Sequence, residues 1–417
     1  MNDTSDQILQ RVRIVSSLGV LLDGYNLTII AVALIPLAAV FHLHAAALGL
    51  LASAMLLGSV VGGVSAGVLA DRWGRRTLLL ADLVIFLVFS LISALVDQYL
   101  WLVVCRFVVG IAVGADYAIS PTYLAEFSPT KTRGFNMGSM WVAWSVGAVL
   151  SFGVGAVVVQ GFPPNLSWRL LFALGLVPAG IGLLMRARLP ESPRWLNRAT
   201  RTQRPPRSWQ WRPGLGRAWA LVLGPWFLFD FSSYGLGLLL PLLLTSHGYA
   251  SHATAIGSTG LAALVGGLGS LWAAFRIDRR GRMFWQMRGF MLATGGLWAL
   301  AGFLQWRAHA IMVVVGGLMV VNFFMGMGPG LTAGMLPAEI FPTSMRAMAQ
   351  GLATAFSRIG AVVGVFVLGF FETHGGFASV LMVTGVASLL GGLMTWAFRI
   401  EPNQAPLSDS AVGDLTR

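Results

Sequence analysis

Apolar stretches separated by short polar turns set the pattern of this chain. They run over 14–41, 47–70, 77–96, 99–124, 134–159 and 167–188. A polar, basic interval follows, and further stretches run over 218–245, 253–276, 284–305, 308–337, 346–371 and 376–398. A helix needs about 20 apolar residues to cross the hydrocarbon of a bilayer. No strand-like alternation competes over comparable lengths. The pattern predicts an all-α membrane protein of twelve transmembrane helices, in two sets of six.

Composition agrees. The chain has 417 residues, 56% of them hydrophobic and only 11% charged, where a soluble domain carries about 25% charged residues. Its 51 glycines suit close helix packing in a membrane. The single cysteine, Cys105, excludes an intramolecular disulfide and a cysteine-based metal cluster. The net charge of +12 would suggest nucleic acid in a soluble protein, but the positions of the charges decide otherwise. Arg11 and Arg13 precede span 1, Arg72, Arg75 and Arg76 separate spans 2 and 3, and Lys131 and Arg133 separate spans 4 and 5. Arginines crowd 189–217, and Arg276, Arg279, Arg280 and Arg282 lie between spans 8 and 9, with Arg346 after span 10. The alternate loops are nearly free of basic residues, apart from Arg307. By the positive-inside rule both termini are cytoplasmic, and the basic excess reports topology. No small-residue cleavage site follows span 1, which is expected to be retained. Expected regions are a six-helix half over 1–188, a cytoplasmic linker over 189–217, a second half over 218–399 and a flexible tail over 400–417.

One phrase occurs twice. "AEFSPTKTR" (125–133) and "AEIFPTSMR" (338–346) both read A-E-x-x-P-T-x-x-R, 213 positions apart. "DRWGRR" (71–76) and "DRRGR" (278–282) match at an offset of 207. Both pairs recur six spans apart, so the halves repeat with parallel topology, an arrangement that places a substrate site between them near the bilayer midplane. Gly74 and Gly281 allow tight turns. Asp71, Arg72, Arg75, Glu126 and Arg133, with Asp278, Arg279, Arg282, Glu339 and Arg346, form a predicted cytoplasmic gate of charges.

With these phrases, "RFVVGIAVG" (106–114) and "PESPRWL" (190–196), the chain resembles the major facilitator superfamily along its whole length, in its sugar-porter-like branch. The resemblance implies alternating-access transport, not an enzyme, with no cofactor and no metal. It does not imply a sugar. Sugar porters bind hydroxyls with glutamine and asparagine on helix 7, and "GPWFLFDFSSYGLGLLLPLLL" has neither. Sugar:proton symporters resemble G-Y-D in helix 1, and here Gly24-Tyr25-Asn26 lacks the acid.

Helix 7 offers Trp226, Asp230 and Tyr234 four apart, on one face with about 6 Å of rise between neighbours. This spacing resembles the binding helix of phosphate:proton symporters, as does "GADYAIS" with Asp116 and Tyr117. The position of that family's substrate-facing lysine falls on Arg358, and related nicotinate and organic-ion carriers resemble this chain in having arginine there. A guanidinium presents a fixed fork to a carboxylate or phosphate. Tyr117, Trp144, Trp226, Asp230, Tyr234 and Arg358 are therefore the candidate substrate site. Asp23, Asp116, Asp230 and Arg106 are candidates for proton coupling, because acids at bilayer depth usually face a pathway or pair with a neighbouring helix. Against the phosphate symporters, Asn26 replaces an acid, span 5 has no glutamine well inside it, and Trp141 and Trp144 stand there. These departures favour a flatter, less polar anion, with phosphate and organic carboxylate level.

The expected function is proton-coupled symport of a small anion by a monomer in the cytoplasmic (plasma) membrane. A sugar or polyol carrier is the alternative, followed by a drug-exporting antiporter and a non-transporting sensor. Asp82 is expected as a partner behind the site or as a structural acceptor. His42, His44, His247, His252, His309 and His374 are expected in or beside outer loops, and a lipid-headgroup contact is expected along 189–217.

Overall fold

The computed structural model describes residues 3–193, 195–196, 214–246, 252–306, 311–343 and 345–407. The expected interfacial helix of the linker, His247, His309, the side chains of Asp71 and His252, and the tail from 408 onward lie outside the described residues. Every long element described is a helix. They are α1 (Asp3–Phe41), α2 (Ala45–Trp73), α3 (Arg75–Leu95), α4 (Tyr99–Phe127), α5 (Arg133–Gly161), α6 (Pro164–Leu174) and α7 (Leu176–Arg186). After the linker come α8 (Leu215–Ser246), α9 (His252–Ala274), α10 (Ile277–Arg280), α11 (Arg282–Trp306), α12 (Ile311–Met327), α13 (Pro329–Thr332), α14 (Leu336–Ile340) and α15 (Arg346–Ala397). Ten helical stretches among the described residues are long and apolar enough to cross a membrane.

Local chemistry explains where these helices break. Gly74 ends α2 with φ 89° and Gly281 ends α10 with φ 84°. That backbone region is open to glycine and costly for a residue with a Cβ, so each repeated D-R-x-G phrase becomes a sharp corner. The expected span over 308–337 is interrupted. Gly328 leaves helical geometry (φ −106°, ψ −108°), and Pro329, which has no N–H to give, starts α13. The expected spans ending at 371 and starting at 376 are joined in α15, whose one non-helical residue is Gly376 (φ 68°, ψ −174°).

In the packing, α1 lies against α5, α2 against α4, α8 and α11 against α15, and α9 against α12. The helices before the linker meet those after it mainly along α2–α15 and α5–α9. The α2–α15 seam is backbone-close. A Cβ on Gly351 would run into the carbonyl of Gly63, and one on Gly67 would meet that of Ala347. Small residues at such seams let helices associate without a hydrophobic drive, which lipid does not supply. Large apolar side chains such as Val157, Leu184, Phe275, Phe366 and Trp396 face outward, as expected of a surface solvated by lipid.

Candidate functional site

Between the two sets of helices lies a cavity of about 170 Å³. The four-residue spacing on α8 puts Trp226, Asp230 and Tyr234 along one wall. Tyr117 of α4, Trp141 and Trp144 of α5, and Arg358 of α15 complete it. All six candidate substrate residues therefore meet in one place. Arg358 is 1% exposed and donates from Nη1 to Oδ2 of Asp230 at 2.8 Å. Its guanidinium carbon lies 4.3 Å from the Tyr117 ring centroid and 5.0 Å from that of Tyr234. Both π-faces attract the cation. Trp141 packs against both Tyr117 and Trp226, at 5.4 and 6.2 Å between centroids, and Trp144 packs edge-on to Tyr234 at 6.2 Å. Trp141, named from sequence only as a departure, belongs to this wall.

The fully buried unsatisfied groups of the lining residues share one character. Among the described lining residues, the buried polar side-chain atoms without a partner are Nε and Nη2 of Arg358 and the indole nitrogens of Trp141 and Trp144. Every one is a donor. A buried donor left unpaired costs about 1–3 kcal/mol, so these four atoms favour a partner that accepts.

A second buried cluster sits beside the first, and its organising residue was not anticipated. Arg186, at the end of α7, donates to Asp116 at 2.6 Å, to both oxygens of Asp82 at 3.0 and 3.1 Å, and to the Leu79 carbonyl. Asp116 also accepts from Ser120. Asp23, 2% exposed, lies within electrostatic reach of Asp116, Arg186 and Asp82, and its Oδ2 has no partner. The cluster thus pairs two carboxylates with one guanidinium and keeps a third, Asp23, within electrostatic reach. Arg186 falls inside predicted span 6 and was not singled out from sequence; the pairing with Asp82 and Asp116 joins residues 104 and 70 positions apart, which no local pattern shows. Arg106 is not part of this cluster's ion pairs. It donates to the Asn26 carbonyl and lies 4.6 Å from the Phe172 ring centroid.

At one end of the bundle the repeated phrases assemble. Glu126 faces Arg75 at 3.5 Å and Arg346 at 3.5 Å, and accepts from Ser192. Glu339 pairs with Arg282 at 2.6 Å, and Asp278 faces the same arginine at 3.2 Å. Asp278 also accepts from the Gly134 and Phe135 amides at 2.9 and 2.8 Å, binding the start of α5 to the α9–α11 corner. Arg133 donates to the Ala405 carbonyl and not to Glu126. Arg72 and Arg279 are exposed and stand apart from the cluster. Two residues outside the predicted gate complete it. Glu191 accepts from the Arg75 and Arg76 amides just after Gly74, and Glu401 from the Arg282 and Met283 amides just after Gly281. Each is a carboxylate at a helix N-terminus, where the dipole favours it. Residues 401–407 are held here, with Leu407 buried.

An all-helical body whose two helix sets enclose a central buried cavity, closed at one end by ion pairs, defines a membrane transporter of the major facilitator type. The family described as "Sugar (and other) transporter" matches residues 12–218 and 241–410. The chain is 30% identical to the putative metabolite transport protein YaaU of Escherichia coli (strain K12), over 97% of this chain and 95% of that protein. It is 26% identical to the inorganic phosphate transporter PHO84 of Saccharomyces cerevisiae, over 88% of this chain and 76% of that one. The proton:xylose symporter XylE has the same fold, with a TM-score of 0.83 at 21% identity over 99% of this chain and 100% of that chain. The chain belongs to the sugar (and other) transporter family and is a multi-pass integral membrane protein.

Proposed function

We propose that this protein is a proton-coupled symporter of a small anion, a carboxylate or phosphate. The observation that carries the reading is the donor-only set of fully buried unpartnered atoms on the cavity's lining residues, two nitrogens of Arg358 with the indoles of Trp141 and Trp144. An ionised carboxylate or phosphate accepts hydrogen bonds and offers none when fully ionised, whereas a sugar hydroxyl brings a donor with each acceptor. The Arg358–Asp230 pair supplies the coupling. A proton on Asp230 removes its charge, and the guanidinium fork turns to the arriving anion. Proton and anion then enter together, and neither leaves a bare charge in the bundle. Asp23, Asp116 and Arg106 serve proton transfer or the positioning of α1 against α4.

In this reading the chain has twelve spans in two halves, over 1–188 and 218–399, joined by a cytoplasmic linker over 189–217 and followed by the 400–417 tail. Division of α15 at Gly376 and a span formed by α8 support the count. Both termini are cytoplasmic, the ionic cluster is the cytoplasmic gate, and the protein works as a monomer in the plasma membrane. Transport of a sugar is the second reading, favoured by the family's description and by serine and threonine hydroxyls along the cavity.

Uptake into proteoliposomes with an inside-alkaline pH gradient tests the proposal, with labelled phosphate, nicotinate, benzoate and glucose and with Arg358→Ala alongside. Gradient-driven uptake of one anion, lost in the variant, is expected. Glucose uptake indifferent to Arg358 would sink the anion reading.

A further inference from the structure

A second cavity, of about 470 Å³, opens on the outer side of the α9–α10–α11 corner and is bordered by α12. Arg276, Arg279, Arg280 and Arg288 line it together with aromatic and aliphatic side chains. All four arginines are exposed, and none has an acidic partner among the described residues. Aromatic rings hold three of them, Arg276, Arg280 and Arg288. The Arg276 guanidinium lies 4.8 Å from the Trp272 ring centroid and donates to the Trp272 carbonyl at 3.0 Å. Arg280 and Arg288 share one ring, at 5.0 and 4.0 Å from the Phe284 centroid. Two cations gathered on one ring with no counter-charge repel, and an anion between them relieves the repulsion. The gate phrases do not account for this grouping. Shifted by the repeat's 207 positions, Arg276, Arg279, Arg280 and Arg288 correspond to Leu69, Arg72, Trp73 and Ala81. Three of the four basic residues are thus additions peculiar to this corner.

Location narrows the anion. Trp272 and Leu292 are 41% and 45% exposed on the side that faces lipid, and the arginines stand where these apolar helices end. Tryptophan with arginine marks the headgroup level of a membrane interface. An apolar wall running from a basic rim suits a molecule with a phosphate at one end and an acyl chain at the other, and basic pockets between transmembrane helices take such headgroups. We propose that this cavity binds an anionic phospholipid. Its phosphate sits among Arg276, Arg280 and Arg288, and an acyl chain lies along Leu292 and Phe323. This inference is independent of the transported substrate.

The test uses the full-length protein in detergent, titrated separately with cardiolipin, phosphatidylglycerol, phosphatidylethanolamine and inorganic phosphate, and read by native mass spectrometry. Wild type is expected to retain the two anionic lipids in preference to phosphatidylethanolamine. R276Q/R280Q/R288Q is expected to hold them on the order of 100-fold more weakly, with R11Q/R188Q/R399Q, three exposed arginines away from the cavity that lose equal charge, unchanged. If the triple variant does not fold, Arg288→Gln alone is expected to weaken retention about fivefold. Equal retention by the variant and wild type overturns the proposal. So does equal binding of phosphatidylethanolamine, or inorganic phosphate that displaces the lipid at matched concentration, which would make this a site for a soluble anion.

Discussion

Arg358 and Asp230 show how much one buried pair decides. They are 128 positions apart in sequence and meet at 2.8 Å with both side chains nearly inaccessible. Removing one partner of a buried ion pair leaves a charge with nothing to answer it, at a cost of about 3–5 kcal/mol. Asp230→Asn and Arg358→Ala are each expected to lower thermal stability in detergent. D230N/R358A is expected to lose less than the two single losses combined, because neither charge is then stranded. A thermal-shift double-mutant cycle checks this, and additive losses would show that the two groups do not depend on each other. Arg358→Lys keeps the charge without the planar fork. It is expected to retain fold and stability while weakening gradient-driven anion uptake by about tenfold to a hundredfold, since a single ammonium replaces the guanidinium fork. Sequence spacing already put Trp226, Asp230 and Tyr234 on one face. Arg186 escaped because its partners come from α3 and α4, and nothing near it in the chain announces them.

At the scale of the element, the corners after α2 and α10 are built alike. In each, a glycine with positive φ turns the chain, and a glutamate from far along the sequence accepts from the first amides of the next helix. The turn and the cap are separable. Gly281→Ala meets a left-handed backbone cost of about 1–2 kcal/mol, and its Cβ would press on the Glu401 carboxylate. Glu401→Ala removes a cap and is expected to cost about 1 kcal/mol. Thermal unfolding of the two variants should rank them in that order. The reverse ranking would mean that the carboxylate, not the backbone, sets the stability of the corner. The glycine was readable from the repeated D-R-x-G phrase. The capping glutamates were not, because they lie 116 and 119 positions from the amides they serve.

For the whole molecule, polar contacts tie one helix set to the other at the ionic end. Arg346 reaches Glu126, and Asp278 takes the Gly134 and Phe135 amides. Polar contacts of this kind separate at modest cost, as the proposed alternating opening at the two ends requires. Asp278→Asn keeps the shape and weakens two charge-assisted bonds, each worth about 1.5–3 kcal/mol. The variant is expected to shift toward a state open at this end, by tenfold or more in population. Spin labels on exposed positions of α2 and α10, read by pulsed electron-electron distances, would show a longer population in Asp278→Asn than in wild type. An unchanged distribution would remove Asp278 from the gate.

What the sequence determined by itself is what acts locally or repeats. Runs of apolar residues set the helices, because a bilayer leaves the backbone no partner except its own carbonyls. The doubled phrases set the corners, and four-residue spacing set one wall of the cavity. Only the tertiary structure decided which charges answer one another. It gave Arg358 to Asp230, Arg186 to Asp82 and Asp116, and Glu126 to both Arg75 and Arg346, and it left Arg72 and Arg279 exposed. It also broke the expected tenth span at Gly328 and carried Glu191 and Glu401 to distant helix ends. Helix formation is satisfied within a few residues of chain. Charge pairing depends on distances of a few ångströms between helices, and packing alone sets those.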